Sequence, residues 1–193
     1  MKKLFYTFLF FGCLLTSISY SQGSKHVYSM EYSVGLASDF IDNVSFRGLG
    51  FEYRNMVKPN IGVGVGIGYN FFYEKKDYGT YVNGNESLTG IQFRYLHNVP
   101  MMVAGDYYFK PNTKINPFVG FGIGGNYISK RTEMGVFMIE DEAFQFAFRP
   151  EAGAIFQAGP DAMISFTAKY IIGTDADDID AQSYLALNLG YVF

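Results

Sequence analysis

The sequence predicts an all-β fold: an eight-stranded antiparallel up-and-down transmembrane β-barrel that follows a cleaved signal peptide. Three observations support this prediction: an export signal at the N-terminus, alternation of apolar residues along most of the chain, and a final strand that ends in an aromatic residue. Of the 193 residues, 49% are hydrophobic, 19% aromatic and 17% charged, and this composition excludes an intrinsically disordered chain. The length favours a single domain.

The N-terminus has the three parts of a secretory signal. Two lysines precede a mostly apolar run at 4–18, and small residues follow at Ser19 and Ser21, where a signal peptidase would cut. We therefore expect a signal peptide at 1–21 and one barrel domain at 22–193. The alternative, a membrane anchor, is disfavoured because a helix needs about 20 apolar residues to span a bilayer.

Cleavage at this position would leave 13 basic and 18 acidic residues, a net charge of −5. A mildly acidic chain without a basic cluster is not expected to bind nucleic acid. The single cysteine, Cys13, lies inside the apolar run of the predicted signal. The exported chain would therefore have no thiol for a disulfide, a nucleophile or a metal site.

Apolar residues recur at every second position in the remaining chain, which is the period of a β-strand. In the segment 61–71 every odd position is large and apolar and nearly every even position is glycine, and the segment 119–124 repeats this pattern. Counting such segments gives eight strands, at about 27–37, 46–55, 61–73, 91–109, 117–129, 142–157, 163–172 and 183–193.

The glycine-rich face of these strands indicates which side meets lipid. A water-exposed strand face of glycine would be weak, since glycine loses much conformational entropy on folding and packs against nothing. Inside a narrow eight-stranded barrel, glycine on some strands instead makes room for larger side chains from others. The apolar face then meets lipid, and closure pairs the backbone groups, as hydrocarbon demands.

The segments between the predicted strands alternate between short turns and longer polar stretches, as in membrane barrels. The short turns contain proline near positions 59, 111 and 160. This pattern places the short turns and both termini on the periplasmic side. The longer stretches are predicted as extracellular loops near 38–45, 74–90, 130–141 and 173–182.

The last predicted strand has the features of an outer-membrane assembly signal. Leu189, Tyr191 and Phe193 are large and apolar at alternate positions. We expect the barrel-assembly machinery to recognise them during biogenesis. A soluble β-protein whose final strand merely ends in phenylalanine is the alternative, and the export signal disfavours it.

Four stretches also match a known family: Tyr95-Leu96 through Val99-Pro100-Met101-Met102, Tyr107-Tyr108-Phe109, Asn116-Pro117-Phe118-Val119-Gly120-Phe121-Gly122 and Gly190-Tyr191-Val192-Phe193. The chain resembles the small outer-membrane β-barrel domain of Gram-negative bacteria, in the porin-like variant typical of Bacteroidetes. The resemblance implies a barrel in the outer membrane. It transfers no catalytic residues, because the family shares none and its fold hosts unrelated functions.

Charged residues fall on the inward face of several predicted strands. Strands two and six lie opposite each other in an eight-stranded ring, and an isolated charge in this confined interior would be costly. We therefore expect at least one arginine–carboxylate contact across the lumen within about 4 Å. The residues expected in this network are Glu52, Arg54, Asp106, Arg149, Glu151 and Lys169.

One predicted loop gathers four carboxylates, from Asp175, Asp177, Asp178 and Asp180. Carboxylate oxygens suit Ca²⁺, but the spacing lacks the glycine and the terminal glutamate of a calcium loop. We therefore favour a solvated acidic loop, and we expect no metal site and no cofactor.

Another predicted loop contains an apolar run of Val136, Phe137, Met138 and Ile139. Such a run is either a contact patch for a partner or a hydrophobic ligand, or an extension of a strand that packs on its neighbours. The sequence leaves both interpretations open.

An enzymatic alternative would depend on His97. This histidine falls on the apolar face of the fourth predicted strand, near the expected outer interface. A lipid-modifying enzyme would need a histidine, a serine and an acid within hydrogen-bond reach at the lipid-facing outer rim. No serine adjoins His97 in the sequence, so we do not expect an enzyme.

These observations favour a non-enzymatic outer-membrane protein with a plugged lumen, in a structural, adhesive or protective role exerted through its extracellular loops. The alternative is a narrow channel or a lateral-diffusion route for small hydrophobic molecules. An apolar tunnel between strands would favour that alternative, and a salt-bridged plug would count against it. The expected partners are outer-membrane lipid, lipopolysaccharide and the assembly machinery, and the expected oligomeric state is a monomer.

Overall fold

The computed structural model describes residues 26–83, 86–111, 113–159, 162–176 and 179–193, and the predicted signal peptide lies outside these ranges. Each strand pairs antiparallel with the next one in the chain, and the last pairs with the first, which closes a barrel. The predicted number and order of strands are therefore confirmed. The strands are β1 His26–Ser38, β2 Ser45–Lys58, β3 Ile61–Asn83, β4 Glu86–Tyr108, β5 Ile115–Met134, β6 Phe137–Gln157, β7 Met163–Gly173 and β8 Ser183–Val192.

Side chains alternate between the lumen and the outer surface of the barrel, as the period of two requires. On β3, Val63, Val65 and Ile67 are 43%, 52% and 49% exposed, whereas Gly64 and Gly66 between them are buried. The other strands expose large apolar side chains in the same way. A continuous apolar surface of this extent marks a contact with lipid or with another protein, and it agrees with the predicted facing.

The outward apolar surface forms a band. On β5 it extends from Val119 to Tyr127, and the outward residues Arg131 and Glu133 follow beyond it. This span measures about 27 Å along the strand, or about 21 Å after a strand tilt of about 40°, close to the band of about 25 Å in membrane barrels. No helix among the described residues is long and apolar enough to cross a membrane.

The two ends of the barrel differ. At one, the turn end, β2 and β3 are separated only by residues 59–60, and β6 and β7 by residues 158–162. Tyr28 and Phe193 exchange two backbone hydrogen bonds of 2.8 and 2.9 Å at the same end. The opposite end, the loop end, carries the longer excursions of the chain.

Two of the four predicted loops are strands instead. β3 and β4 continue to Asn83 and from Glu86, and β5 and β6 are joined only by Gly135 and Val136. The predicted loops at 74–90 and 130–141 are therefore wrong, because their charged residues pair across strands and do not mark a break. Lys130 lies opposite Asp141 and Arg131 opposite Glu140, and Gly135 adopts the φ of 60° that the tight turn needs.

These extensions build a four-stranded sheet that rises beyond the apolar band at the loop end; we call it the protruding sheet. It comprises residues 71–83, 86–97, 129–134 and 137–144. The β2–β3 ladder ends at Gly48 and Asn70, and the β6–β7 ladder begins at Ala147 and Gly173. Within the described chain, both flanks of the protruding sheet thus lack a paired strand.

Candidate functional site

A layer of charged side chains fills the lumen in the half nearer the turn end, and we call it the ion layer. All members are buried, and they come from β1, β2, β4, β6 and β7. The layer contains the six residues that the sequence analysis placed inward and one that it missed. The members are Glu31, Glu52, Arg54, Asp106, Arg149, Glu151 and Lys169.

Arg54 on β2 is the centre of this layer. Its guanidinium lies 2.6 Å from the carboxylate of Asp106, 2.9 Å from that of Glu52 and 3.1 Å from that of Glu151. Because Glu151 is on β6, the last contact crosses the lumen between the two opposite strands. The arginine–carboxylate contact expected from the sequence is therefore present.

Arg149 and Lys169 complete the ion layer from the other wall. Arg149 lies 2.8 Å from Glu52 and 3.1 Å from Glu151, and Lys169 lies 2.8 Å from Glu52 and also pairs with Glu31. Four carboxylates thus meet three cations in a space closed to solvent. Ions removed from water in this way persist only when their partners and hydrogen bonds are nearly complete, so the layer behaves as one unit.

Glycines on the neighbouring strands provide the space for these ions. A Cβ on Gly66 would lie 2.9 Å from Glu52 Oε1 and 3.3 Å from Arg149 Nη1, and a Cβ on Gly120 would overlap Asp106 Oδ1. Both glycines therefore sit where any larger residue would displace a charged partner. This arrangement is the physical reason for the glycine alternation seen in the sequence.

An apolar layer occupies the half of the lumen nearer the loop end, and the sequence analysis missed it. Two of its members, Ile41 and Ile179, come from the segments that join β1 to β2 and β7 to β8, so these segments dip into the barrel. The sequence does contain a signal for this layer: at several positions two large residues are adjacent, so that one faces outward and the other faces the lumen. The inward wall residues are Phe72, Leu96, Ile128, Ile171 and Tyr184.

The segment 39–44 between β1 and β2 lies across the mouth of the barrel, and we call it the lid. The ring of Phe40 lies between two cations, 5.1 Å from the guanidinium of Arg94 and 5.4 Å from the amine of Lys130. Such contacts stabilise by about 0.5–1 kcal/mol at exposed sites and more where water is excluded. Arg94 also donates a hydrogen bond of 3.3 Å to the carbonyl oxygen of Phe40.

Two further contacts fasten the lid. Asp42 accepts a 2.9 Å hydrogen bond from Lys76, and Asp39 accepts hydrogen bonds of 2.7 and 2.9 Å from the backbone and the hydroxyl of Ser183. The hydrogen bonds to Asp42 and to Glu74 raise the pKa of Lys76 above its ordinary value, because both stabilise the charged amine. The lid is thereby tied to β3 and to β8, on either side of β1 and β2.

His97 has neighbours that the sequence could not reveal. It lies opposite Phe71 on one side and opposite Ser129 on the other, at the outer edge of the apolar band. Its ring nitrogen Nδ1 shares a 2.9 Å hydrogen bond with the hydroxyl of Tyr69, whereas Ser129 donates a 3.2 Å hydrogen bond to Glu140. In the described chain no hydrogen bond joins His97 to Ser129, so the three residue types are close without the connection of a catalytic triad.

The remaining candidates are scattered over the two ends of the barrel. Among the acidic residues, Asp175 accepts a hydrogen bond from the backbone of Ala181, and Asp177 and Asp178 lie outside the described residues. The described part of the chain holds no group of three or more His, Cys, Asp or Glu side chains that could bind a metal ion.

The apolar run at 136–139 is a strand extension, yet it does not pack on neighbouring elements. Val136 is 95% exposed at the tip of the β5–β6 hairpin, and Phe137, Met138 and Ile139 are 51–57% exposed. From Phe137 onward the run is thus paired as a strand and its side chains are exposed, and a contact with a partner or a hydrophobic ligand stays a prediction.

The final strand presents its predicted signal outward. Leu189 and Tyr191 are 56% and 50% exposed on the outer surface of β8. The ring of Phe193 stacks 5.9 Å from that of Tyr191 and 6.0 Å from that of Tyr28 on β1. The three residues are accessible together at the seam where β8 meets β1.

The fold and its outward band decide the relationship to known proteins. The model of the outer membrane protein beta-barrel domain family matches residues 7–193. The chain belongs to this family. It is therefore an outer-membrane protein, with the turn end in the periplasm and the loop end outside the cell.

Solved structures with the same fold are distant in sequence. Neisserial surface protein A has a TM-score of 0.59 at 9% identity, and the match covers 88% of this chain and 96% of that one. Ail, the attachment invasion locus protein of Yersinia pestis, has a TM-score of 0.54 at 13% identity, covering 87% and 97%. A major outer membrane protein from Thermus thermophilus has a TM-score of 0.54 at 12% identity, covering 88% and 100%. No curated protein sequence matches the chain.

Proposed function

We propose that this protein is a non-enzymatic component of the outer membrane that acts on the cell surface through its protruding sheet, in a structural, adhesive or protective role. The observation that carries the proposal is the sheet itself, which rises beyond the apolar band with an exposed apolar tip at 136–139 and with two flanks that no described strand pairs with. Unpaired strand flanks and exposed apolar patches are surfaces to which other molecules bind. An adhesive role fits the attachment named for Ail, which shares the fold.

The proposal includes a plugged lumen. Ion pairs across the barrel, the apolar layer above them and the lid over the mouth support it, because each fills a different height of the lumen. An eight-stranded barrel has room for side chains only. A monomer satisfies this arrangement, since the described barrel closes on itself without a second chain.

The test of the surface role places a photo-crosslinking residue at Met138 in intact cells, with Val65 as the matched lipid-facing position. The proposal predicts crosslinks to proteins or surface polysaccharide from position 138 and to lipid alone from position 65. A variant with serine at 136, 137 and 139 should lose both the crosslinks from position 138 and cell adherence while it keeps the heat-dependent gel mobility of a folded barrel. Equal crosslinking and adherence in the two proteins would overturn the proposal.

A lateral route for small hydrophobic molecules has one observation in its favour. An apolar groove of about 300 Å³ opens on the lipid-facing side of β2 to β5, lined in part by Phe51, Val65 and Met101. Beside it the β3–β4 ladder passes Pro100, which has no N–H to donate. The ion layer lies behind this groove and weighs against transport, so uptake of an apolar dye into vesicles should match that of vesicles without the protein.

The absence of hydrolase activity is also part of the proposal. Ser129 donates its hydroxyl to Glu140, and the hydrogen bond of His97 goes to Tyr69, so among the described residues no histidine is positioned as a base on the serine. Release of fatty acid from phospholipid or lipopolysaccharide vesicles should therefore be the same for the unmodified protein and for Ser129→Ala. Release that depends on Ser129 would contradict the proposal.

A further inference from the structure

Five aromatic rings form a continuous surface on the outward face of β3 and β4; we call it the aromatic platform. Phe71 lies 4.6 Å from the ring of His97 and 6.4 Å from that of Tyr95, while Tyr73 lies 5.3 Å from Tyr95 and 6.5 Å from Phe93. The platform begins where the apolar band ends, because Phe71, His97 and Ser129 are cross-strand neighbours one step beyond Tyr127. It therefore faces the headgroup layer of the outer leaflet.

Three cations rim the platform, and each lies over one of its rings. Arg47 and Lys75 are exposed, and the side chain of Arg131 is 41% exposed and also pairs with Glu133. The distances from cation to ring centre are 5.5 Å for Arg47 over Phe71, 5.9 Å for Lys75 over Phe93 and 5.9 Å for Arg131 over Tyr95. Contact with the rings orders these long side chains before any ligand arrives, and this reduces the entropy lost on binding.

The cations are confined to one side of the barrel. Among the described residues, Arg47, Lys75 and Arg131 are the cations that face outward in the extracellular half, on β2, β3 and β5. At the same height the outward side of β6 carries Glu140 and Glu142. Glu133 on β5 also faces the platform and pairs with Arg131, so Arg47 and Lys75 leave the platform with a net positive charge where the neighbouring strand β6 is negative.

We propose that the aromatic platform and its three cations bind a phosphate-bearing glycolipid headgroup of the outer leaflet, the chemistry of lipopolysaccharide. Arginine and lysine donate charge-assisted hydrogen bonds to phosphate oxygens, and guanidinium can do so with two parallel bonds. By strand spacing, Arg47 and Arg131 lie three strands or about 14 Å apart, a separation that suits a disaccharide-sized headgroup with separate phosphates. The rings between them offer flat faces to the sugars. The acyl chains would continue down the apolar band below the platform.

The first test needs no variant. The folded protein is titrated in phosphatidylcholine nanodiscs with fluorescent lipid A that carries its phosphates, and in parallel with the same lipid after phosphatase treatment. The proposal predicts that removal of the phosphates weakens binding about 10- to 100-fold, as expected for loss of about three cation–headgroup contacts. Equal binding of the two lipids would overturn it.

The second test compares two triple variants with the same change of charge. Arg47→Gln/Lys75→Gln/Arg131→Gln removes the rim of the platform, and Lys58→Gln/Lys110→Gln/Lys114→Gln removes exposed lysines at the opposite, periplasmic end. The platform variant should lose the preference for phosphorylated lipid A, and the control should keep it. An equal loss in both variants would mean that net charge alone attracts the lipid and would overturn the site.

Two further outcomes would show that the platform binds a different ligand. Displacement of lipid A by an equal concentration of inorganic phosphate would indicate a free-phosphate site, and it would overturn the lipid assignment. The second outcome would assign the platform to a protein partner. In that case the platform variant would keep its preference for phosphorylated lipid A, but a photo-crosslinking probe at position 73 would no longer crosslink it to other proteins. The site lies outside the lumen, so none of these outcomes depends on the plug.

Discussion

At the level of single residues, Arg54 is the position on which most of the ion layer depends, since it contacts Glu52, Asp106 and Glu151. Arg54→Met would leave these buried carboxylates short of a partner, and such a loss typically costs about 3–5 kcal/mol of folding stability. Urea unfolding in lipid vesicles, followed by gel mobility, measures the change. Arg47→Met, on the outer surface, is the matched control. A loss below about 1 kcal/mol for Arg54→Met would contradict the account of the layer.

Gly64 illustrates a different constraint. A Cβ at this position would overlap the carbonyl oxygen of Tyr53 on the adjacent strand, whereas a Cβ on Gly105 would meet nothing closer than a backbone oxygen at 3.8 Å. Gly64→Ala should therefore lower folding stability by about 1–3 kcal/mol, as overpacking does, and Gly105→Ala should leave it nearly unchanged. Similar unfolding midpoints for the two variants would show that β2 and β3 can separate without strain.

The parity of the strands predicted six members of the ion layer, because charge on the glycine face of a narrow barrel has no other place to go. Glu31 has the same parity, between Ser29 and Ser33, and could have been found with them. The apolar layer could not be predicted by alternation alone, since that rule assigns every large apolar residue to lipid. Phe72 breaks the rule because it takes the inward, even position on β3 directly after the outward Phe71, and it is fully buried.

At the level of elements, the lipid-facing band predicts that the stability lost when a charge is introduced depends strongly on the depth of the residue in the bilayer. Val65 is outward near the middle of the band, opposite Tyr53 and Val103, and Val136 is at the tip of the extracellular hairpin. Val65→Arg should destabilise the folded protein by about 2–4 kcal/mol in bilayers, as should Leu187→Arg if it lies at similar depth. Val136→Arg should change stability little. If Val65→Arg folds into vesicles as readily as Val136→Arg, the facing of β3 is wrong.

The packing of the lid should limit how fast a protease cuts this segment of the chain. Ile41 is fully buried in the apolar layer, whereas Val44 in the same segment is 49% exposed. Ile41→Asp would bury a charge without a partner, so the lid should leave the mouth and be cut by added protease about tenfold faster or more. Val44→Asp should be cut at the rate of the unmodified protein. Equal cleavage rates in the two variants would show that burial of Ile41 does not hold the lid closed.

Strand lengths were the least predictable feature of the elements. The segments 74–90 and 130–141 carry charges at a density typical of loops, and the sequence analysis assigned them so. In the structure these charges face each other across β5 and β6 or contact the lid, so they stabilise strands that stand in water. A high density of charged residues therefore indicates that a segment is exposed to water, and it is a weaker indicator of whether the backbone forms a strand or a loop.

For the whole molecule, the proposed function requires a closed interior and an outer surface that binds other molecules. The lumen is occupied from the periplasmic half outward by the ion layer, the apolar layer and the lid, while the aromatic platform and the protruding sheet face the leaflet and the medium. Alternation and the export signal were sufficient to predict the eight-stranded barrel and its lipid-facing surface, but not the apolar layer, the lid or the protruding sheet. The surface functions depend on loop-end geometry, which alternation does not encode.

Single-protein conductance in a planar bilayer tests the closed interior most directly. The purified barrel is inserted beside a 16-stranded general porin as the positive control, in the same lipid and salt. We expect no steady current through the barrel at voltages that open the control, because only barrels of about 16–18 strands leave an aqueous channel. A stable conductance on the scale of the porin would contradict the central claim that the lumen is plugged.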